Sequence, residues 1–145
     1  MESMKQHEYS VELRIFGLEP ALITRDLGLR PCQIRSEGTE RFRGRVDPNM
    51  WAYNGTDDRE VFWDSVEEGL DFVLNKLWAH RKTLANYEQA GARLIWWCGH
   101  FSCSFDGGPS LSPKLLKKLG EFGVELFIDT YSQLPDGKQR EPLSA

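Results

Sequence analysis

Asp129 and Tyr131 stand two residues apart in Val124 to Tyr131, a stretch that reads as a strand, so both side chains face one side of a sheet. A carboxylate beside a phenol can hold a polar ligand or act as acid and base; the plainer alternative is a structural hydrogen bond at a strand end. Together with His100 these residues define a candidate ligand pocket on a sheet face. Cys98, His100 and Cys103, with Cys32 elsewhere, raise the question of a metal. Zinc takes four tetrahedral ligands, usually with paired cysteines two to four residues apart. On a regular strand Cys98 and His100 share a face while Cys103 falls on the other. The expectation is therefore no metal and no cofactor, with small buried cysteines and a strand-end histidine. Nothing in the sequence places a base and an orienting group beside either thiol, so nucleophilic catalysis is not expected. Gly107-Gly108 lacks the lysine of a phosphate loop and reads as a turn.

The second chemical feature is charge. Residues 48–92 carry 4 basic and 8 acidic side chains, which is the whole of the net charge of -4. Between Asp57 and Asp71 stand Asp57, Asp58, Glu60, Asp64, Glu67, Glu68 and Asp71 against Arg59, or 1 minus 7, giving -6. Upstream, Arg35, Arg41, Arg43 and Arg45 oppose Glu37 and Glu40, a local +2. Carboxylates in the first turn of a helix are stabilised by its dipole, which accounts for Asp64, Glu67 and Glu68. Asp57, Asp58 and Glu60 precede that turn. Dense like charge suits a face that steers in a basic partner, with Trp63 as an aromatic anchor; the alternative is a plain solvated face.

The elements that position these residues follow from periodicity. Glu8 to Phe16 alternates apolar and polar residues, as a half-buried strand does. A short helix opens at Pro20, presents Leu22, Ile23 and Leu27, and stops at Gly28 and Pro31. Gly38 and Gly44 bracket an arginine-rich hairpin or loop, and Asp47-Pro48-Asn49 reads as a turn. Met50 to Tyr53 reads as a short strand ended by Asn54-Gly55. Ser65 and Glu68 form a capping box ahead of Val66, Leu70, Val73, Leu74 and Leu77 on one helical face, which predicts a helix over 65–78. Leu84 and Tyr87 extend it, or begin a second helix, as far as Gly91. Ala92 to Phe105 is apolar on both faces, as expected of an interior strand covered on both sides. Ser112-Pro113 opens a last helix with Leu115, Leu116, Leu119 and Phe122. Leu-x-Pro-x-Leu-[Ile/Leu] at 18–23 and 111–116 suggests two strand-helix-strand halves. The expected fold class is α+β: one domain over 1–145 with its core at about 8–132 and a loose tail at 133–145. Its mixed sheet carries helices mainly on one face, similar to a ferredoxin-like sandwich.

Composition bounds the rest. A chain of 145 residues with 40% hydrophobic residues buries roughly two-thirds of its unfolded surface and needs no staples. Three cysteines at unrelated spacings suit a reducing compartment, so a cytoplasmic location is expected. No apolar run approaches the ~20 residues of a membrane span, and no signal peptide is apparent at the first residues. The mild acidity argues against a nucleic-acid binder, which needs a basic surface.

Val11-Glu12-Leu13-Arg14-Ile15-Phe16-Gly17, Leu27-Gly28-Leu29-Arg30-Pro31, Gly38, Trp51, the middle helix, and Leu111-Ser112-Pro113 leading to Ile128-Asp129-Thr130-Tyr131 together give a chain that resembles a largely bacterial family, the domain of unknown function family 4279. The resemblance runs over most of 8–132 and implies an α+β domain with this order of elements. It implies no activity. The segment Thr39 to Met50 and the acidic run before Ser65 lie outside it.

Electrostatics and the lack of catalytic motifs lead to the expectation of a non-enzymatic protein-binding domain. Its acidic face would engage a basic protein, as a bacterial immunity protein engages a cationic, nuclease-like toxin domain. The alternative is a ligand-binding or enzymatic domain with a sheet-face pocket around Asp129, Tyr131 and His100.

Overall fold

The structure, a computed structural model, describes residues 6–36 and 49–133. The stretch between Gly38 and Gly44 with its arginines, the Asp47-Pro48 part of the expected turn, and the tail from residue 134 lie outside the described residues. In chain order the elements are β1 (His7–Phe16), α1 (Pro20–Leu27), β2 (Gln33–Arg35), β3 (Met50–Tyr53), α2 (Val66–Leu77), a 3-10 turn (Trp78–His80), α3 (Arg81–Gln89), β4 (Arg93–Ser102), α4 (Pro113–Phe122) and β5 (Glu125–Tyr131). They form an α+β domain whose mixed sheet has the order β2-β3-β1-β4-β5. Among the described residues no helix is long and apolar enough to cross a membrane.

Among the first four strands every pairing is antiparallel. Strand β3 lies between β1 and β2, and β1 lies between β3 and β4, so two strand-helix-strand units interlock in the ferredoxin-like manner. The helices of those units are α1 and the α2–α3 run. The leucine-proline repeat marks something else. Its second copy opens α4, which leads to β5, a fifth strand parallel to β4 and added outside the interlocked pair. The repeat records two helix starts of like chemistry. Pro20 and Pro113 occupy the first turn, where a missing N–H costs nothing, and Gly28 and Gly123 close the helices at φ +67° and +81°.

One face of the sheet carries the main core, and Cys32, Met50 and Ala52 form a smaller buried cluster with Phe16 on the other. Rows across the main-core face read Trp51–Ile15–Leu94, Tyr53–Leu13–Trp96–Leu126 and Val11–Cys98–Ile128. Ile23 and Leu27 of α1, Leu70 and Leu74 of α2, Leu84 of α3, and Leu115 and Leu119 of α4 all pack on them. Each such leucine contributes about 1.5–3 kcal/mol by leaving water. Trp51 Nε1 donates to Thr24 Oγ1 at 3.0 Å and pins α1. Leu116, which the sequence groups with the apolar face of α4, is instead exposed because it points away from this core.

Among the described residues no helix covers the other face, so β4 is not the strand covered by helices on both sides that its composition suggests. On its second apolar face Ile95 is buried, Trp97 and Phe101 are half-buried, and a loop roofs part of it. Tyr53 pairs with Leu13 and Trp63 with Tyr9, so β1 advances 13 - 9 = 4 residues while its partner advances 63 - 53 = 10. Six extra residues leave the plane of the sheet. Asn54 shapes their exit: its Nδ2 donates to the Asp58 carbonyl at 2.7 Å and its Oδ1 accepts from the Thr56 N–H at 3.0 Å. Gly55 has φ +91°, and a Cβ there would lie 2.4 Å from the Phe72 ring, so the turn requires glycine.

Candidate ligand cleft on the open face

Side chains on the open face are set by the register. Rows across β1, β4 and β5 read Glu8–Phe101–Tyr131, Ser10–Gly99–Asp129 and Glu12–Trp97–Phe127. A cleft of 380 Å³ lies over them, within the range of small-molecule sites. Its lining includes Ser10, Glu12, Arg14, Gln33, Trp97, Phe101, Asp129 and Tyr131 from the strands, and Asn54, Arg59, Val61 and Phe62 from the loop. Gly99 is its floor. A Cβ there would lie 2.6 Å from Ser10 Oγ and about 3 Å from both the Trp97 and Phe101 rings, which close over the space a side chain would fill. Phe101 stacks on Tyr131 at 5.0 Å, and Phe62 meets Phe101 edge-on at 5.9 Å.

The polar groups of the cleft form two closed pairs. Arg14 Nε donates to Glu12 Oε2 at 2.5 Å, and the guanidinium lies 4.2 Å from the centre of the Trp97 ring. The Arg14 and Glu12 side chains retain 24% and 12% of their exposure, so the attraction acts in a poorly solvated setting. Tyr131 donates its hydroxyl to Asp129 Oδ2 at 2.5 Å. Burial, and then Asp129 as acceptor and neighbouring charge, pushes the Tyr131 phenol up to about 12. Cys32, whose Sγ lies 3.8 Å from Glu12 Oε1, is pushed up to about 12 by burial and then by Glu12. At neutral pH the phenol and thiol are protonated and the thiol is a weak nucleophile. Arg59 is exposed on the loop and makes no ion pair or hydrogen bond with the described residues.

Asp129 and Tyr131 are thus brought together, as their spacing predicts, but His100 is on the opposite face. It stacks on Tyr9 at 4.8 Å and on His7 at 5.1 Å under the helix layer. The Asp106 carbonyl can only accept, so His7 Nε2 donates to it at 2.5 Å; neutral His7 Nδ1 then accepts from His100 Nε2 at 2.9 Å, and His100 Nδ1 accepts from Thr130 Oγ1 at 3.2 Å. Burial and His7 lower the His100 pKa. His100 shares the helix-side face with Cys98, two residues earlier on β4, whose thiol burial pushes up to about 12. Cys103 lies past the end of β4 and is exposed.

The acidic run is divided between two elements. Asp57, Asp58 and Glu60 ride on the looped-out segment, where Asp57 pairs with Arg30 at 3.1 Å and Asp58 Oδ1 accepts from the Glu60 N–H at 2.9 Å. Asp64 precedes the cap of α2, and Glu67, Glu68 and Asp71 follow on the helix. Ser65 Oγ accepts from the Glu68 N–H at 3.2 Å, and the Asp71 carboxylate accepts from Asn75. Glu67 is structural: its two oxygens accept from the Ser112 N–H at 2.6 Å and the Ser112 hydroxyl at 2.9 Å, tying α2 to the start of α4. Trp63 packs against Phe72 at 5.2 Å and under Gly69, and its Nε1 is buried. Its ring therefore faces the helix layer rather than standing out as an anchor.

Glu12, Arg14, Trp97, Gly99 and the loop residues Arg59 and Phe62 were not legible as site residues. Glu12 and Arg14 carried a signal, since they form the polar side of an alternating strand, but that pattern reads as solvated surface. No curated protein and no solved structure matches the chain. A family model does match, over residues 7–133, a span that contains every strand and helix described. The chain belongs to the family described as the domain of unknown function DUF4279.

Proposed function

We propose that this domain binds a small polar ligand in the cleft on the open face of its sheet, without catalysis. The observation that carries this reading is the six-residue excess of the 54–62 loop, which roofs an aromatic-walled cleft in place of a helix. The half-buried Glu12–Arg14 pair supports it. Replacing such a pair by apolar residues is often neutral or stabilising, so stability alone gives little reason for its presence. A fragment library titrated into isotopically labelled protein tests the reading by NMR. The expected result is that hits shift the Ser10, Gly99 and Trp97 indole resonances and that Gly99→Val abolishes the shifts. Hits confined to other surfaces, or none at all, reject it.

A second reading is favoured by the exposure of Asp58, Glu60, Glu68 and Asp71 within the -6 run. In it these carboxylates, with Asp57 and Asp64, receive a basic protein such as a toxin domain, as an immunity protein does. A triple Asp58→Lys, Glu60→Lys, Glu68→Lys variant then loses that partner in a pull-down while Gly99→Val keeps it. Retention by the triple variant rejects this reading.

A further inference from the structure

We infer that, whatever its cleft holds, this domain forms a two-fold dimer with a second copy of itself through the free edge of β5, the two strands antiparallel with Ile128 opposite Ile128. The two edges of the sheet differ. Strand β2 is three residues long and carries Arg35, and shortness with a charge is how an edge is kept from pairing. Strand β5 runs for seven residues, pairs with β4 without a bulge and holds neither proline nor lysine. Among the described residues no strand pairs with its outer row of backbone N–H and C=O groups. Exposed apolar side chains flank that row on both faces: Phe127 on the open face, 46% exposed, and Leu116 of α4 on the helix side, 54% exposed. Lys118 donates to Asn75 of α2, so Leu116 is on the flank of α4 that faces away from α2 and overhangs β5.

Charge selects the register. Residues directly opposite in an antiparallel pair lie on the same face, so the dyad falls on a residue, and most of β5 is paired only with that residue at Phe127, Ile128 or Asp129. A dyad at Phe127 sets Glu125 opposite Asp129, and one at Asp129 sets that carboxylate opposite its own copy; like charges so placed repel. A dyad at Ile128 pairs the whole strand, with Glu125 opposite Tyr131, Leu126 opposite Thr130 and Phe127 opposite Asp129. The two Phe127 rings are then diagonal neighbours across the dyad, within reach of each other. On the helix side Leu116 meets its copy. Helix α4 runs antiparallel to β5, and its Phe122 ring packs at 5.5 Å from Trp96, which is level with Leu126. From Phe122 back to Leu116 the helix rises about 9 Å, nearly three strand residues, which brings Leu116 level with Ile128 and Asp129. A foreign strand would cover Phe127 but bring no helix to Leu116, whereas a copy of this chain brings both.

Sedimentation equilibrium over a range of protein concentrations tests the inference in the parent protein and in Phe127→Glu, Phe127→Lys and Leu116→Glu. The parent is expected at twice the mass of the chain, dissociating on dilution. Phe127→Glu sets two like-charged pairs across the seam and Phe127→Lys two opposite-charged ones, so the lysine variant should dimerise about tenfold or more tightly than the glutamate variant. Leu116→Glu should weaken the dimer by about tenfold, since it buries two carboxylates side by side at the dyad. Both positions are exposed in the single chain, so the circular dichroism of every variant should match the parent. A parent that is monomeric throughout, equal dimerisation of the two Phe127 variants, or unchanged dimerisation of Leu116→Glu overturns the inference. In a monomeric parent, slow hydrogen exchange at every β5 amide would mean that another segment of this chain covers the edge, and fast exchange at alternate amides that the edge stays open.

Discussion

Under the helices, His7, His100 and Thr130 pass hydrogen bonds in one direction to a backbone carbonyl, and the surrounding surface is leucine, valine and tryptophan. Across the same strands, one residue away, Glu12 with Arg14 and Asp129 with Tyr131 close into an ion pair and a charge-assisted hydrogen bond beside half-buried aromatic rings. The difference lies in what can still be given to a ligand. The histidine chain uses every ring nitrogen internally. The two open-face pairs leave oxygen and nitrogen atoms over, and they border an open space. Polar groups inside a sheet protein are informative about binding only when the face they occupy is known.

The contrast is broken most directly by truncating adjacent tryptophans. Trp96 is fully buried on the helix face, and Trp96→Ala should cost about 3–5 kcal/mol in denaturant unfolding. Trp97→Ala should cost about 1–2 kcal/mol, chiefly the Arg14 stacking and part of the ring's burial. Equal losses would mean that the open face is as much core as the other. Gly99→Val puts atoms where Trp97, Phe101 and Ser10 already meet, and a loss of about 1–3 kcal/mol is expected with the fold retained by circular dichroism.

Two titrations sharpen the same contrast. The folded His100 pKa lies below the unfolded value of 6.5, so below pH 6.5 the unfolded chain binds a proton that the folded chain refuses. Stability should be level above pH 6.5 and fall as pH drops toward the folded pKa, with His100→Gln flattening that slope in unfolding curves. A slope unchanged by the variant would place its source elsewhere. On the open face Tyr131 ionises near pH 12, so its contribution to stability is complete below pH 10 and is lost as pH rises through 12. Phenolate absorbance should show one late tyrosine shift toward 10 in Asp129→Asn; no change would remove Asp129 as a cause. Tyr87, bonded to Asp26 at 2.8 Å and also near 12, should stay late in both proteins.

Local chemistry was readable to different depths. Met50 to Tyr53 and the helix after Ser65 form where the Asn54-Gly55 stop and the capping box predict, because each signal lies within a few residues of its element. β2 escaped notice, since three residues, Gln33 to Arg35, carry no period and form a strand only against β3. The placement of His100 beside Asp129 and Tyr131 failed for a register reason. Gly99 is level with Asp129, so His100 is level with Thr130 and faces the helices.

The sequence by itself determined the alternating strands, the capped helices with their glycine stops, the α+β class, the internal pairing of Asp129 with Tyr131, and where the negative charge sits along the chain. All follow from interactions a few residues long. Only the tertiary structure decided that the acidic run divides between a loop and a helix, that Trp63 turns inward, and that Glu12 and Arg14 meet Trp97 on an uncovered face. Those outcomes depend on cross-strand register and on six surplus residues between two pairings, and both are fixed by contacts between distant segments rather than by any local pattern.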